Sequence, residues 1–157
     1  RTPKPLLSGG TGSQSLEQEM PDFLPDGAEA GTLNVPGISG LSAGIAYIRR
    51  RGTDVILHRE QEMMKKCVRL LKKRGHRAFF GEHQSGTISF VPRLDCEEMA
   101  QQLGAFGIAV RAGLHCAPLA HESAGTLETG TVRISFGHDA NIRQIMALDE
   151  AFGRIKD

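Results

Sequence analysis

Apolar positions recur at helical spacing in several stretches of the chain and alternate in short runs between them. From Pro36 onward, Ile38, Leu41, Ile45 and Ile48 fall on one side of a helix, and Arg49, Arg50 and Arg51 suit its C-terminal end before Gly52. A second helix follows, with Thr53 as its expected N-cap, Ile56, Met63, Cys67 and Leu70 or Leu71 as its inner stripe, and Gly75 as its stop. Its other side carries Arg59, Lys65, Lys66, Arg69, Lys72 and Lys73, the pattern of a solvated face. Residues 78–81 and 87–91 read as strands joined by a polar turn at 83–86. Asp95 is placed to cap a third helix, with Glu98 three residues on and Met99, Leu103 and Phe106 inward, and Gly107 ends it. A strand is expected at 108–111, a polar loop at 117–130, and a strand at 131–136. Asp139 is the expected cap of the last helix, whose inner stripe is Ile142, Ile145, Leu148, Phe152 and Ile155. Strands alternating with helices that cover one face predict a small layered α+β sandwich.

Ahead of this periodic part, residues 1–37 are dense in Gly, Pro, Ser and Thr and could bury no core of their own. Such composition suits a disordered leader. Against that, a glycine loop with Ser and Thr also exposes peptide N–H groups that can cradle a phosphate.

The stretch with the clearest chemistry is Ile108-Ala109-Val110-Arg111-Ala112-Gly113-Leu114-His115-Cys116-Ala117-Pro118. A β-branched run breaks through Gly113 into a loop that presents Cys116, so the thiol sits where a substrate can reach it. Arg111 and His115 beside it favour the thiolate, which is the nucleophilic form. Cys67, on an apolar stripe, reads as a small core residue, and Cys96 in a first helical turn reads as inert. Cys96, His115, Cys116, His121 and His138 match no zinc-ligand spacing, so no metal site is expected. Arg133 lies inside an apolar strand, where a charge needs a partner. That fits a structural ion pair, or an edge position, as well as a ligand contact.

The run Arg111 to Pro118 resembles the active-cysteine loop of cysteine desulfurases, within the class V aminotransferase group that includes the selenocysteine lyases. The resemblance extends to Gly9-Gly10-Thr11-Gly12-Ser13, to the run from Glu29 to Ile38, and to Thr131-Val132-Arg133-Ile134-Ser135-Phe136, all in the family's order. It implies a fold type I pyridoxal phosphate enzyme acting as a homodimer on L-cysteine or selenocysteine and passing sulfur to an acceptor protein. In that family Cys116 would become a persulfide as L-cysteine is converted to L-alanine, with His115 beside it as an acid/base or packing residue. Arg133 would hold the substrate carboxylate in a two-pronged grip, Arg111 would steer the loop, and Thr32 would bind the cofactor phosphate across the dimer. Residues 1–37 would be a strip of the large cofactor domain, 38–75 connecting helices, and 76–157 the C-terminal small domain.

Two features temper the likeness. The family's cofactor lysine lies in a His-Lys context upstream of the glycine loop, where this chain has only Lys4 between two prolines. The acid that pairs the pyridinium nitrogen and the residue that stacks on the ring belong upstream as well. The chain therefore reads as a C-terminal portion expected to hold no cofactor alone. Leu114 also stands where some relatives carry His, which leaves a selenocysteine lyase, another class V enzyme or a non-catalytic folded module as alternatives.

Composition narrows the partners. With 39% hydrophobic and 24% charged residues and a net charge of +1, the chain is ordinary for a globular protein and makes no electrostatic case for nucleic acid or an anionic membrane. Three widely spaced cysteines form no disulfide framework and suit a reducing cytosol, and no apolar run is long enough to span a membrane.

Overall fold

The computed structural model describes residues 4–14 and 16–155. The chain divides into two units, one up to Arg50 and one from Arg51 on. The helix after Gly52 therefore belongs to the sheet-bearing unit.

The first unit is mostly irregular. A short 3₁₀ turn at Asp26–Ala28 is followed by helix α1 at Val35–Arg51. Gly27 packs so tightly that a Cβ there would stand 2.4 Å from the Pro21 carbonyl oxygen. The apolar stripe of α1 is present as expected, but no residue of the helix is buried: Ile38, Leu41, Ile45 and Ile48 all stay exposed.

The second unit is a four-stranded antiparallel sheet in the order β1-β2-β4-β3, with β1 at Arg77–Phe79, β2 at Thr87–Val91, β3 at Arg111–Gly113 and β4 at Thr131–Ser135. Helices α2 (Thr53–Lys73) and α3 (Cys96–Ala105) pack on it, α2 over β1 and β2, α3 over β4 and β3, while α5 (Ile142–Arg154) packs against α2. Alternation along the strands sends Ile88, Phe90, Val132 and Ile134 into this layer, where they meet Met63, Cys67, Leu71, Met99, Leu103, Leu148 and Phe152. His76 is stacked into the same core, its ring 5.1 Å from Phe90 and 5.2 Å from Phe152.

Several local expectations shift. Thr53 is the first residue of α2 and Gly52, at φ +86, precedes it with no side-chain cap. Gly75 does stop the helix: at φ +80 it lets the His76 N–H reach back to the Leu71 carbonyl. Asp95 caps α3 by accepting from the Glu97 and Glu98 N–H groups. Phe106, however, ends the helix 43% exposed, with the Arg154 guanidinium 6.0 Å over its ring. The cap of α5 is Asn141, not Asp139, because Asn141 and Gln144 form a reciprocal capping box. Ile142 then falls on the outer side, and Ala151 takes its place in the buried stripe.

Candidate active site

The strand of the cysteine stretch begins three residues later than expected, at Arg111 rather than Ile108. This matters because pairing sets which side chains share a face. Arg111 pairs with Arg133, Arg133 with Ser89, and Ser89 with Phe79, so these four form a row across the sheet. The next row, Ala112, Val132, Phe90 and Ala78, faces the core. Period two therefore puts both arginines on the face turned away from the core. Two guanidinium groups opposite each other repel, and an anion bound beside them relieves that repulsion.

Beyond β3 the chain turns at once. The Ala117 N–H donates to the Leu114 carbonyl at 2.9 Å, and the two central residues, His115 and Cys116, have φ +52 and +59. That sign pattern belongs to the type I′ turn, which ordinarily takes Asn or Gly. Holding two L-residues with side chains there costs about 1–2 kcal/mol each, so the surroundings must impose it. Three contacts do. His115 Nε2 pairs with Thr131 Oγ1 at 2.9 Å. The Arg111 guanidinium donates from Nη2 to Cys116 Sγ at 3.5 Å. Gly113 at φ +98 and Gly130 at φ +61 pass so closely that a Cβ on Gly130 would lie 3.2 Å from Gly113 Cα and 2.9 Å from Cys96 Sγ.

Cys116 is thus exposed at the tip of a braced turn, whereas Cys67 and Cys96 are buried. His115 is partly buried beside it, and its Nδ1 has no hydrogen-bond partner among the described residues. Desolvation, reinforced by Arg133, His121 and Arg111, holds its pKa below the usual 6.5, so the ring is neutral near neutral pH.

The expected loop at 117–130 contains a helix, α4, at Pro118–Ala124. Pro118 at its start and Gly125 in the left-handed region at its end are the signals that mark it. α4 brings His121 over the open face of the sheet, where it lines a small cavity with Phe79, Ser89, Thr126 and Thr131. His121 Nδ1 pairs with Thr126 Oγ1 at 2.8 Å, and its ring lies 5.7 Å from that of His115. His121 enters the sequence reading only as a rejected metal ligand, and Thr126 and Thr131 carry no local signal, since only pairing and the helix bring all three to the cysteine loop.

Thr32 lies in the other unit. There the glycine loop folds on itself, with the Gly31 N–H donating to the Gly10 carbonyl at 2.9 Å and Thr11 Oγ1 pairing with Ser13 Oγ at 2.9 Å. A cavity of about 940 Å³ is lined by Gly9, Gly10, Thr11, Gly12, Thr32 and, among others, the carboxylates Glu17 and Glu19. Its hydroxyls and glycine backbone are donors of the kind a cofactor phosphate takes, while the two carboxylates oppose an anion and no lysine lines it to meet an aldehyde. Among the described residues no group of three or more His, Cys, Asp or Glu is placed to hold a metal ion, and no helix is long and apolar enough to cross a membrane.

Known proteins share both the pattern and the fold. A probable cysteine desulfurase of Xylella fastidiosa strain Temecula1 is 32% identical over 151 residues, covering 92% of this chain and 36% of that protein. One from Pyrococcus abyssi is 36% identical over 139 residues, covering 84% and 34%. Among solved structures, the apo cysteine desulfurase of Thermococcus onnurineus NA1 superposes with a TM-score of 0.76 at 29% identity, over 96% of this chain and 38% of that one. A cysteine desulfurase of Escherichia coli in an S-sulfonic acid form matches with the same TM-score, identity and coverage. The chain spans about a third of the length of these relatives. The family profile of class V aminotransferases matches residues 2–148, and the chain belongs to that family.

Proposed function

We propose that this chain supplies the small domain and part of the cofactor surface of a pyridoxal phosphate-dependent cysteine desulfurase. The observation that carries the reading is the exposed Cys116, held on a strained turn with Arg111 on its sulfur and Arg133 paired to Arg111. Pyridoxal phosphate, when bound, supplies the electron sink that makes the substrate's Cα proton and Cβ–S bond labile. Thr32, with Thr11 and the glycine loop, would hold its phosphate. Arg133, half-buried in the row with Arg111 and Ser89, grips the α-carboxylate of L-cysteine as a bidentate fork. The Cys116 thiolate attacks the substrate sulfur, so that an S–S bond forms as the Cβ–S bond breaks. The electron pair released stays with the carbon skeleton, which takes up protons to leave as L-alanine, and Cys116 is left as a persulfide. His115, neutral beside the thiol, is in the form that can accept a proton. The reading extends to a second thiol on an acceptor protein that takes up the sulfur, and to a homodimer working in the cytoplasm.

The test uses the full-length enzyme. Cys116→Ala should abolish persulfide formation from L-cysteine, read by mass spectrometry, while the cofactor's absorbance band is kept. A variant that still forms the persulfide on this chain would remove Cys116 from the reaction.

A further inference from the structure

α4 begins one residue beyond Cys116, after Ala117, and one residue docks it. Of its seven residues only His121 is buried, while Leu119 is left 76% exposed. His121 is also directional in a way an apolar side chain is not. Its Nδ1 meets both the hydroxyl of Thr126, at 2.8 Å, and the Thr126 carbonyl, at 3.3 Å, which fixes the plane of the ring. That ring leans on His115, at 5.7 Å between centroids and 47° between planes. The far ring atom of His115 is in turn pinned to Thr131 at the start of β4. At its other end α4 is tied to β1, where the Arg77 guanidinium donates to the Ala124 carbonyl at 3.0 Å.

We propose that His121 is a positioning residue: braced by Thr126, it holds His115 and through it the turn that sets Cys116 against Arg111. A leucine at 121 would fill the space yet leave the His115 ring free to tilt. The turn, whose two central residues sit at unfavourable positive φ, would then relax toward ordinary loop geometry. The inference rests on Cys116 being the acting thiol, but the brace can be read without any reaction, so the two ideas fail separately.

The experiment uses this chain labelled with ¹⁵N. Long-range proton–nitrogen spectra report each imidazole, and hydrogen exchange reports the Ala117 amide that closes the turn. His121→Leu should displace the His115 ring signals and speed Ala117 exchange on the order of tenfold, with the Phe90 and Val132 amides unchanged. His121→Asn, which keeps a polar atom where Nδ1 stands, should restore Ala117 protection. Thr126→Val, with His121 still in place, should reproduce the leucine effect, and it decides alone if the leucine variant does not fold. Unchanged His115 signals and Ala117 exchange in the Leu and Val variants would reduce His121 to packing. So would an Asn variant that behaves as Leu does.

Discussion

Burial alone pushes the Cys67 thiol up to about 12, whereas Cys116 stands in solvent at a turn. The thiolate is the species that alkylates, so at neutral pH Cys67 holds almost none of it. Timed alkylation of the native chain, read by peptide mass spectrometry, should label Cys116 faster than Cys67 by on the order of a hundredfold or more. Equal rates would mean the helix stripe is open. His115 answers to pH in the same sense as a paired acid, and opposite to a histidine held charged by a carboxylate. Its folded pKa is depressed below 6.5, so its contribution to stability is complete above that value and is lost as pH falls through the lower folded midpoint. Proton NMR should place the His115 midpoint below 6.5, and His115→Gln should soften the loss of stability on acidification. A midpoint at or above 6.5 would show that the ring is not desolvated as described.

At the scale of elements, the crossing of Gly113 and Gly130 lets β3 and β4 pair right up to the cysteine turn. Any side chain on Gly130 meets Cys96 Sγ and the Gly113 backbone, at a φ of +61 that L-residues seldom adopt. Gly130→Ala should therefore cost about 1–3 kcal/mol, from overpacking and backbone strain together. Thermal unfolding measures it directly, and a Tm equal to that of the parent chain would show that the crossing is loose. α1 presents the contrasting case. Its apolar stripe is regular, yet no residue of the helix is buried, so periodicity made a helix without making a core.

For the molecule as a whole, the two ends of the proposed chemistry sit in different units: the hydroxyls proposed for the phosphate in one, thiol and arginines in the other. Lys4 is the only lysine in the first unit, and it lies outside the glycine-loop cavity. Borohydride reduction of the chain mixed with pyridoxal phosphate, followed by mass spectrometry, should find no single lysine modified stoichiometrically. One fully modified site would show that the chain carries its own cofactor lysine.

Much of this protein was written locally. Helical spacing located α1, α2, α3 and α5, and the Asp95 cap and the Gly75 stop followed from near-neighbour chemistry. Alternation found β2 and β4 almost to the residue, because a strand with one buried face repeats strictly every second position. Cys116 was legible as a loop thiol, since a β-branched run ending at glycine needs no distant partner to be recognised. What local pattern could not decide was anything set by pairing across the sheet. The start of β3, the row that aligns Arg111 with Arg133, and the left-handed backbone under His115 and Cys116 all depend on residues more than ten positions away. α4 was hidden because it is seven residues long and buries a single side chain, so it shows no apolar stripe, and the switch from Asp139 to Asn141 turned on which side chain could close a capping box. The sequence determined which residues could do chemistry. Only the tertiary structure decided which of them meet, because the contacts that hold a strained turn come from strands and helices far along the chain.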